Sequence, residues 1–399
     1  MRILPGRKDI QTAGRISDTV DLSFPSWAEV DLDRLHHNID IIYAAAKTPL
    51  IPVIKANAYG HGAAVIGREL SRRRETAVIS VWNMDEAQAL RKAGVKGRIM
   101  ALGGAWPWEI RRAIDLGVEV VISSAAQARA LASAAGGRRV AVAHLKINTG
   151  MSRLGMERQE AFDAFAEVAK MKKIRLAGVM THFATAGGSR DGVRRQVRAF
   201  DDVIGALRSA GFSIPPRHAA NTAALFLHPE ARYDMVRPGL GLYGIKEFPG
   251  ADPGLRPVLS LKARLVWVRK VKKGETVSYD GMWTAPSARQ VAVASLGYAD
   301  GYSRILSNRA HAIINGKKAR QIGAICMDSA LFDVTGAGAG AGDVALIIGE
   351  DRERKVTAGW LAGLAGSISY EILCGIGARV RRIYIRAGKI DNKLTRSML

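Results

Sequence analysis

The segment VIKANAYGHG, residues 53–62, carries an apolar run into Lys55 and follows it with Tyr59, Gly60 and Gly62. A lysine at the end of an apolar strand is partly desolvated. This lowers its pKa from the ordinary ~10.4 and favours the neutral amine that adds to a carbonyl or takes a proton. Tyr59, four residues on, can return a hydroxyl to the same place, and the glycines admit backbone close to a ligand. One such lysine alone is more often structural, with its ammonium reaching solvent, so its company decides. LKINTGMSRLG (145–155) sets Lys146 at the end of another apolar run and Arg153 in the loop beyond it. MTHFA (180–184) supplies His182, HAANTAA (218–224) supplies Asn221 and Thr222, and RPGLGLYG (237–244) supplies Arg237, Gly239 and Leu240.

These groups need elements to position them. Apolar runs at 51–54, 77–81, 99–102, 118–122, 140–147 and 176–180, with weaker ones at 217–220 and 235–240, alternate with amphipathic helical patterns such as EAQALRKAG and RQEAFDAFAEVAKM. Eight such units in about 220 residues predict a (β/α)8 barrel of the TIM type, in which chemistry sits beyond the C-terminal ends of the strands. Each polar segment above follows a strand run, as that architecture requires. After KEFPGADPGLRP, a turn-rich connection, the texture changes to short alternating strands such as LSLKARLVWVRKV and DVALIIG, closed by a helical stretch. The expected division is an extension over residues 1–25, the barrel over 26–250 and a mainly β domain over 251–399. GAGAGAG (336–342) fits no dinucleotide fingerprint and precedes a strand, so it reads as a surface turn.

Composition narrows the class. The chain has 399 residues, 48% hydrophobic and 24% charged, enough for one large barrel and a second module. No run approaches the ~20 apolar residues of a membrane span, the first 25 residues lack a secretory apolar region, and two cysteines make no disulfide framework. A cytoplasmic protein is expected. The net charge of +23 is scattered over arginines and lysines with no recognition motif, which points away from specific nucleic-acid binding. The histidines lack ligand spacing, so no metal is expected.

Taken in order, the lysine segment, LKINTGMSRLG, THFA, AANT, RPGLGLYG, VSYD (277–280), GYADG (297–301), CMD (326–328) and YEILC (370–374) make the chain from about Trp27 onward resemble alanine racemase. The resemblance implies pyridoxal 5'-phosphate bound covalently to Lys55. Its phosphate would be held by Tyr59, Thr222, Gly239, Leu240 and Tyr370, with Asn221 alongside. Arg153 would contact its phenolic oxygen and Arg237 its ring nitrogen, where a guanidinium keeps its proton. Lys146 corresponds to a lysine that many relatives carbamylate. Racemisation needs proton removal from one face of Cα and delivery to the other, and two opposed bases do this directly. The resemblance names Lys55 and Tyr279, the latter from a partner subunit, supported by His182 and Arg237. Tyr298, Arg304, Met327 and Asp328 complete the partner's share, so a head-to-tail homodimer with shared sites is implied. The D-alanine formed would serve peptidoglycan, or the enzyme would serve alanine catabolism.

Trp283 and Ala324 depart from the commonest family pattern, where tyrosine and arginine are frequent, and bear on the pocket entrance. A broad-specificity racemase acting on serine and other small amino acids is the alternative. A related barrel decarboxylase would lack the VSYD tyrosine arrangement, and a single-domain cofactor carrier would lack the second domain.

Overall fold

The computed structural model describes residues 24–136 and 139–396. Its first half is built on parallel strands, some of them buried along their whole length, as in Val118–Ile122. The ladder runs in order through Ile79–Val81, Ile99–Ala101, Val118–Ile122, Ala141–Lys146, Ile174–Met180 and Arg217–His218. Residues 50–53 and 235–236 close the ring. Leu50 bridges both Thr76 and Val236, Val53 bridges Ser80, and Met235 bridges His218, all in parallel. Adding these two segments to the six-stranded ladder gives the expected eight.

The two closing segments make bridges instead of strands, and proline accounts for it. Pro52 and Pro238 have no N–H for a ladder, although their carbonyls still accept from Ser80 N and Val53 N at 2.8 and 2.9 Å. The strand expected at 235–240 therefore stops after its first residues, and Leu240–Tyr243 is a 3-10 turn.

Side-chain caps start the helices soon after the strands. Asn83, Ser124, Ser189 and Asn221 each accept a hydrogen bond from a backbone N–H in the first turn of the helix that follows. Such caps stabilise a helix by about 1 kcal/mol each. They also fix where each chain turns at the barrel mouth.

The second half is mainly β. The long strand Leu259–Val271 pairs with Arg289–Ala294 on one side and with Val344–Asp351 on the other. The sequence of pairings through Ala330–Asp333, Lys317–Ile322 and His311–Ile314 returns to Val344–Asp351, so these six strands form a closed barrel. Ser26–Asp31 belongs to this sheet, although it opens the segment expected to form the first barrel. It pairs antiparallel with Leu259–Val271 and parallel with Arg381–Arg386. The glycine-rich run 336–342 is a turn between two strands. No helix among the described residues is long and apolar enough to cross a membrane.

Candidate active site

Lys55 stands where the first barrel segment ends. Beyond it, Ala56, Asn57, Ala58 and Tyr59 have φ of 50°, 53°, 55° and 52°, a single left-handed helical turn. Such a conformation costs roughly 1–2 kcal/mol per residue, so the surroundings must impose it. Glu86 accepts from Ala56 N at 2.6 Å and from Trp82 N at 2.7 Å, and Asn57 Oδ1 accepts from Ala63 N at 2.8 Å. Arg382 from the second domain donates to Gly60 O at 2.9 Å, while its other donors reach the carbonyls of Ile376, Gly377 and Val380. A Cβ on Gly60 would lie 2.2 Å from the carbonyl oxygen of Leu373. Strain held this firmly beside a reactive side chain marks a functional site.

The lysine faces a cavity of about 150 Å3 at the barrel mouth. Lys55, Tyr59, Lys146, Arg153, His182 and Asn221 line it, as do Thr222, Arg237, Gly239, Leu240 and Tyr370. Eleven residues expected from separate segments thus meet in one place. Tyr370 enters from the helix Ser369–Cys374 of the second domain, its ring 5.7 Å from that of Tyr59. Gly239 N and Gly241 N both donate to Thr222 Oγ1, at 3.1 and 3.2 Å, which leaves the hydroxyl proton to point elsewhere. A Cβ on Gly239 would come within 2.7 Å of Tyr59 Oη.

The electrostatics are one-sided. Among the described residues, four basic side chains line the cavity and no carboxylate does. Burial, then Arg153, lowers the pKa of Lys55. Burial, then Arg237, Arg153 and Lys55, brings Lys146 down to about 8. Burial and Arg237 bring His182 to about 3, so its imidazole is neutral at ordinary pH. Burial lowers Arg237 to about 9, which leaves it cationic there. Its guanidinium is clamped by the carbonyls of Thr181, His218 and Ala219 at 2.5, 2.5 and 2.9 Å, and by His218 Nδ1 at 2.7 Å. Its contact with His182 Nδ1 is longer, 3.4 Å.

Tyr279, Tyr298, Met327 and Asp328 do not line this cavity. They gather elsewhere, on the second domain. Tyr298 N and Ala299 N donate to the carbonyls of Cys326 and Met327 at 3.0 Å, and Ser278 Oγ donates to Ala324 O at 2.8 Å. Tyr279 is 68% exposed and Met327 53%, with Met282, Tyr298 and Ile305 also exposed. Arg304 lies in the short turn Arg304–Leu306. Asp328 pairs with Arg379 at 2.7 Å. Ala324 is fully buried.

Trp82, Glu86 and Arg382 escape a reading by motif. Trp82 places its ring 5.3 Å from Lys55 Nζ and 5.8 Å from the Arg153 guanidinium. It directly follows Ile79–Val81, so the rule that function follows strands could have found it. The positive cavity, its hydroxyls and its desolvated amine suit a phosphorylated carbonyl compound: donors for a dianion beside a nucleophilic nitrogen.

Two family models match the chain, "Alanine racemase, N-terminal domain" over residues 30–247 and "Alanine racemase, C-terminal domain" over 258–384. The alanine racemase of Geobacter sulfurreducens is 38% identical over 377 residues, covering 91% of this chain and 98% of that protein. The structure of alanine racemase from Clostridium difficile 630 superposes with a TM-score of 0.87 at 30% identity, covering 93% of this chain and 98% of that one. The enzyme from Bacillus anthracis, solved with bound L-Ala-P, gives 0.86 at 28% identity, with coverages of 94% and 98%.

Proposed function

This chain belongs to the alanine racemase family, and we propose that its residues divide a two-base racemisation between Lys55 and a partner subunit's tyrosine at position 279. The protein is a pyridoxal-phosphate-dependent alanine racemase. The cofactor, when bound, supplies the electron sink that makes the Cα proton of alanine removable. The observation that carries the assignment of roles is the desolvated Lys55 on its left-handed turn, facing a cavity with four basic groups and no carboxylate.

The chain's own groups then have distinct tasks. Tyr59, Thr222, Tyr370 and the backbone at Gly239 and Leu240 would hold the phosphate, with Asn221 fixing the turn that carries Thr222. Arg153 would meet the phenolic oxygen. Arg237 would offer a donor to the ring nitrogen and keep its own proton, a role supported by its burial among carbonyl acceptors. Lys55 Nζ takes or returns a proton on one face of Cα. On the other face Tyr279 Oη does the same, assisted by His182, with Met327 N–H on the substrate carboxylate and Tyr298 and Asp328 shaping the entrance. Support for a head-to-tail homodimer comes from the exposed apolar face of the second domain, where these partner residues gather.

Two unbonded thiols, Cys326 and Cys374, support a cytoplasmic setting. The expected assay result is loss of optical rotation from L-alanine, with kcat/KM for L-serine and L-lysine lower by about 10- to 200-fold. Equal kcat/KM for L-serine would instead make it the broad-specificity racemase.

Lys146 is proposed as a carbamate. Forming one requires a neutral amine to add to the carbon of dissolved CO2 and release a proton, and Lys146, at about 8, supplies a usable fraction of that amine at neutral pH. The product is an anion beside Arg153 and Arg237. Holoenzyme equilibrated with 13C-bicarbonate is expected to show one carbamate resonance that Lys146→Ala lacks. Its absence from the wild type would leave Lys146 as a plain lysine.

A further inference from the structure

The floor of the cavity continues into a polar line through the barrel interior. Barrel interiors are normally filled by branched apolar side chains, and one layer here is apolar, with Ile51, Val78, Met100 and Val121 in contact. Another is not. Arg237 Nη1 meets His218 Nδ1 at 2.7 Å, His218 Nε2 meets His144 Nδ1 at 2.9 Å, and His144 Nε2 meets Glu119 Oε2 at 2.7 Å. Arg98 closes the line on Glu119, at 2.5 and 3.0 Å. Glu119, His144, His218 and Arg237 are all buried.

Proton positions along this line follow from one end. A guanidinium has donors only, so His218 Nδ1 must accept from Arg237 and the ring proton of His218 sits on Nε2. That proton is donated to His144 Nδ1, which places the proton of His144 on Nε2, donated in turn to the Glu119 carboxylate. Every contact is then satisfied by two neutral imidazoles of the same tautomer. Arg237 has no carboxylate partner among the ion pairs of the described residues. The anion at the far end of its hydrogen-bonded line is Glu119.

Backbone detail supports the same arrangement. Between Ala143 and His144 the register against Ile174–Met180 slips, passing from Leu176 to Gly178. Such an irregularity re-aims a side chain. It sets Gly178 opposite His144, where a Cβ would lie 2.4 Å from His144 Nδ1 and 2.8 Å from His218 Nε2. Glycine is needed here for space: any side chain would enter the imidazole–imidazole contact.

We propose that Glu119 is a positioning residue for racemisation, acting through His144 and His218 to hold Arg237 as a fixed donor toward the cofactor ring, with Gly178 as the spacer that lets the relay form. The proposal rests on the assignment of Arg237 to the ring nitrogen. Glu119→Gln tests it from the far end. A glutamine cannot accept from both His144 and Arg98 with both oxygens. If its amide NH2 faces His144, both tautomers invert and His218 presents an N–H to Arg237.

The experiment uses holoenzyme labelled with 15N-histidine. In the wild type, the ring spectra are expected to show His144 and His218 as neutral Nε2–H tautomers, assigned with His144→Gln and His218→Gln. Glu119→Gln and Gly178→Ala are expected to change those ring shifts, to lower kcat by tenfold or more with KM for L-alanine altered less than threefold, and to shift the absorption band of the bound cofactor. A proton on Nδ1 of either histidine in the wild type would overturn the proposal, and this spectrum decides even where a variant does not fold. Folded variants with unchanged kcat and an unshifted band would overturn it too. Failure of the underlying assignment looks different: Arg237→Lys would then leave the cofactor band and kcat unchanged while the wild-type tautomers remain as derived.

Discussion

Lys55→Ala is expected to lower kcat for alanine racemisation by on the order of 10^4-fold or more, because in the proposed division of roles one side chain supplies both the covalent anchor and a base. The competing candidate is Lys146, whose amine is also desolvated and lies in the same cavity. Geometry separates the two. Lys146 is 4% exposed and flanked by Arg237 and Arg153, a setting that suits an anion in its place. Lys55 opens a left-handed turn that Glu86, Asn57 and Arg382 hold at a cost of several kcal/mol. Borohydride reduction of the wild-type holoenzyme followed by peptide mapping is expected to place the cofactor on the peptide containing Lys55. The same treatment of Lys55→Ala is expected to leave the protein unlabelled. Label on Lys146 in the wild type, or residual activity within tenfold in the variant, would transfer the anchor role.

How far these features were legible in the sequence depends on the distance over which they are determined. Val118–Ile122 and Leu259–Val271 show in the sequence because burial on one or both faces fixes their composition locally. Ser26–Asp31 does not, because its partners lie in the second half of the chain and its alternation says only that one face is covered. The polar groups at the barrel mouth could be found because each follows a strand. Arg382 could not: its work is a side-chain bridge to Gly60 O, a relation that exists only after the second domain packs on the lysine turn. Glu119 is an intermediate case. A carboxylate inside the run VEVVI is conspicuous, but nothing local says that His144 from another strand will meet it and pass the line on to His218.

Tyr279→Phe removes a single oxygen, and its expected effect is asymmetric. In deuterium oxide, Cα exchange from L-alanine is expected to slow by about 10^2- to 10^4-fold, while exchange from D-alanine, which the proposed mechanism gives to Lys55, persists. Equal retention of both would remove Tyr279 from the mechanism. The turn that carries it supports a fixed role. Ser278 and Asp280, on either side, have φ of 69° and 58°. Ser278 Oγ is tied to Ala324 O, and a Cβ on Gly323 would lie 2.7 Å from Ser278 Cβ. A tyrosine held on a strained turn yet largely exposed supports the proposal that it acts outside its own chain. Mixing inactive variants makes that explicit. If Lys55 and Tyr279 of one site come from different subunits, a heterodimer of Lys55→Ala with Tyr279→Phe contains one site lacking both groups and one intact site. Random reassociation of equal amounts then restores about a quarter of wild-type activity. If both groups came from the same chain, every site in the mixture would lack one of them and no activity would return, so recovery on mixing assigns Tyr279 to the partner independently of any exchange rate.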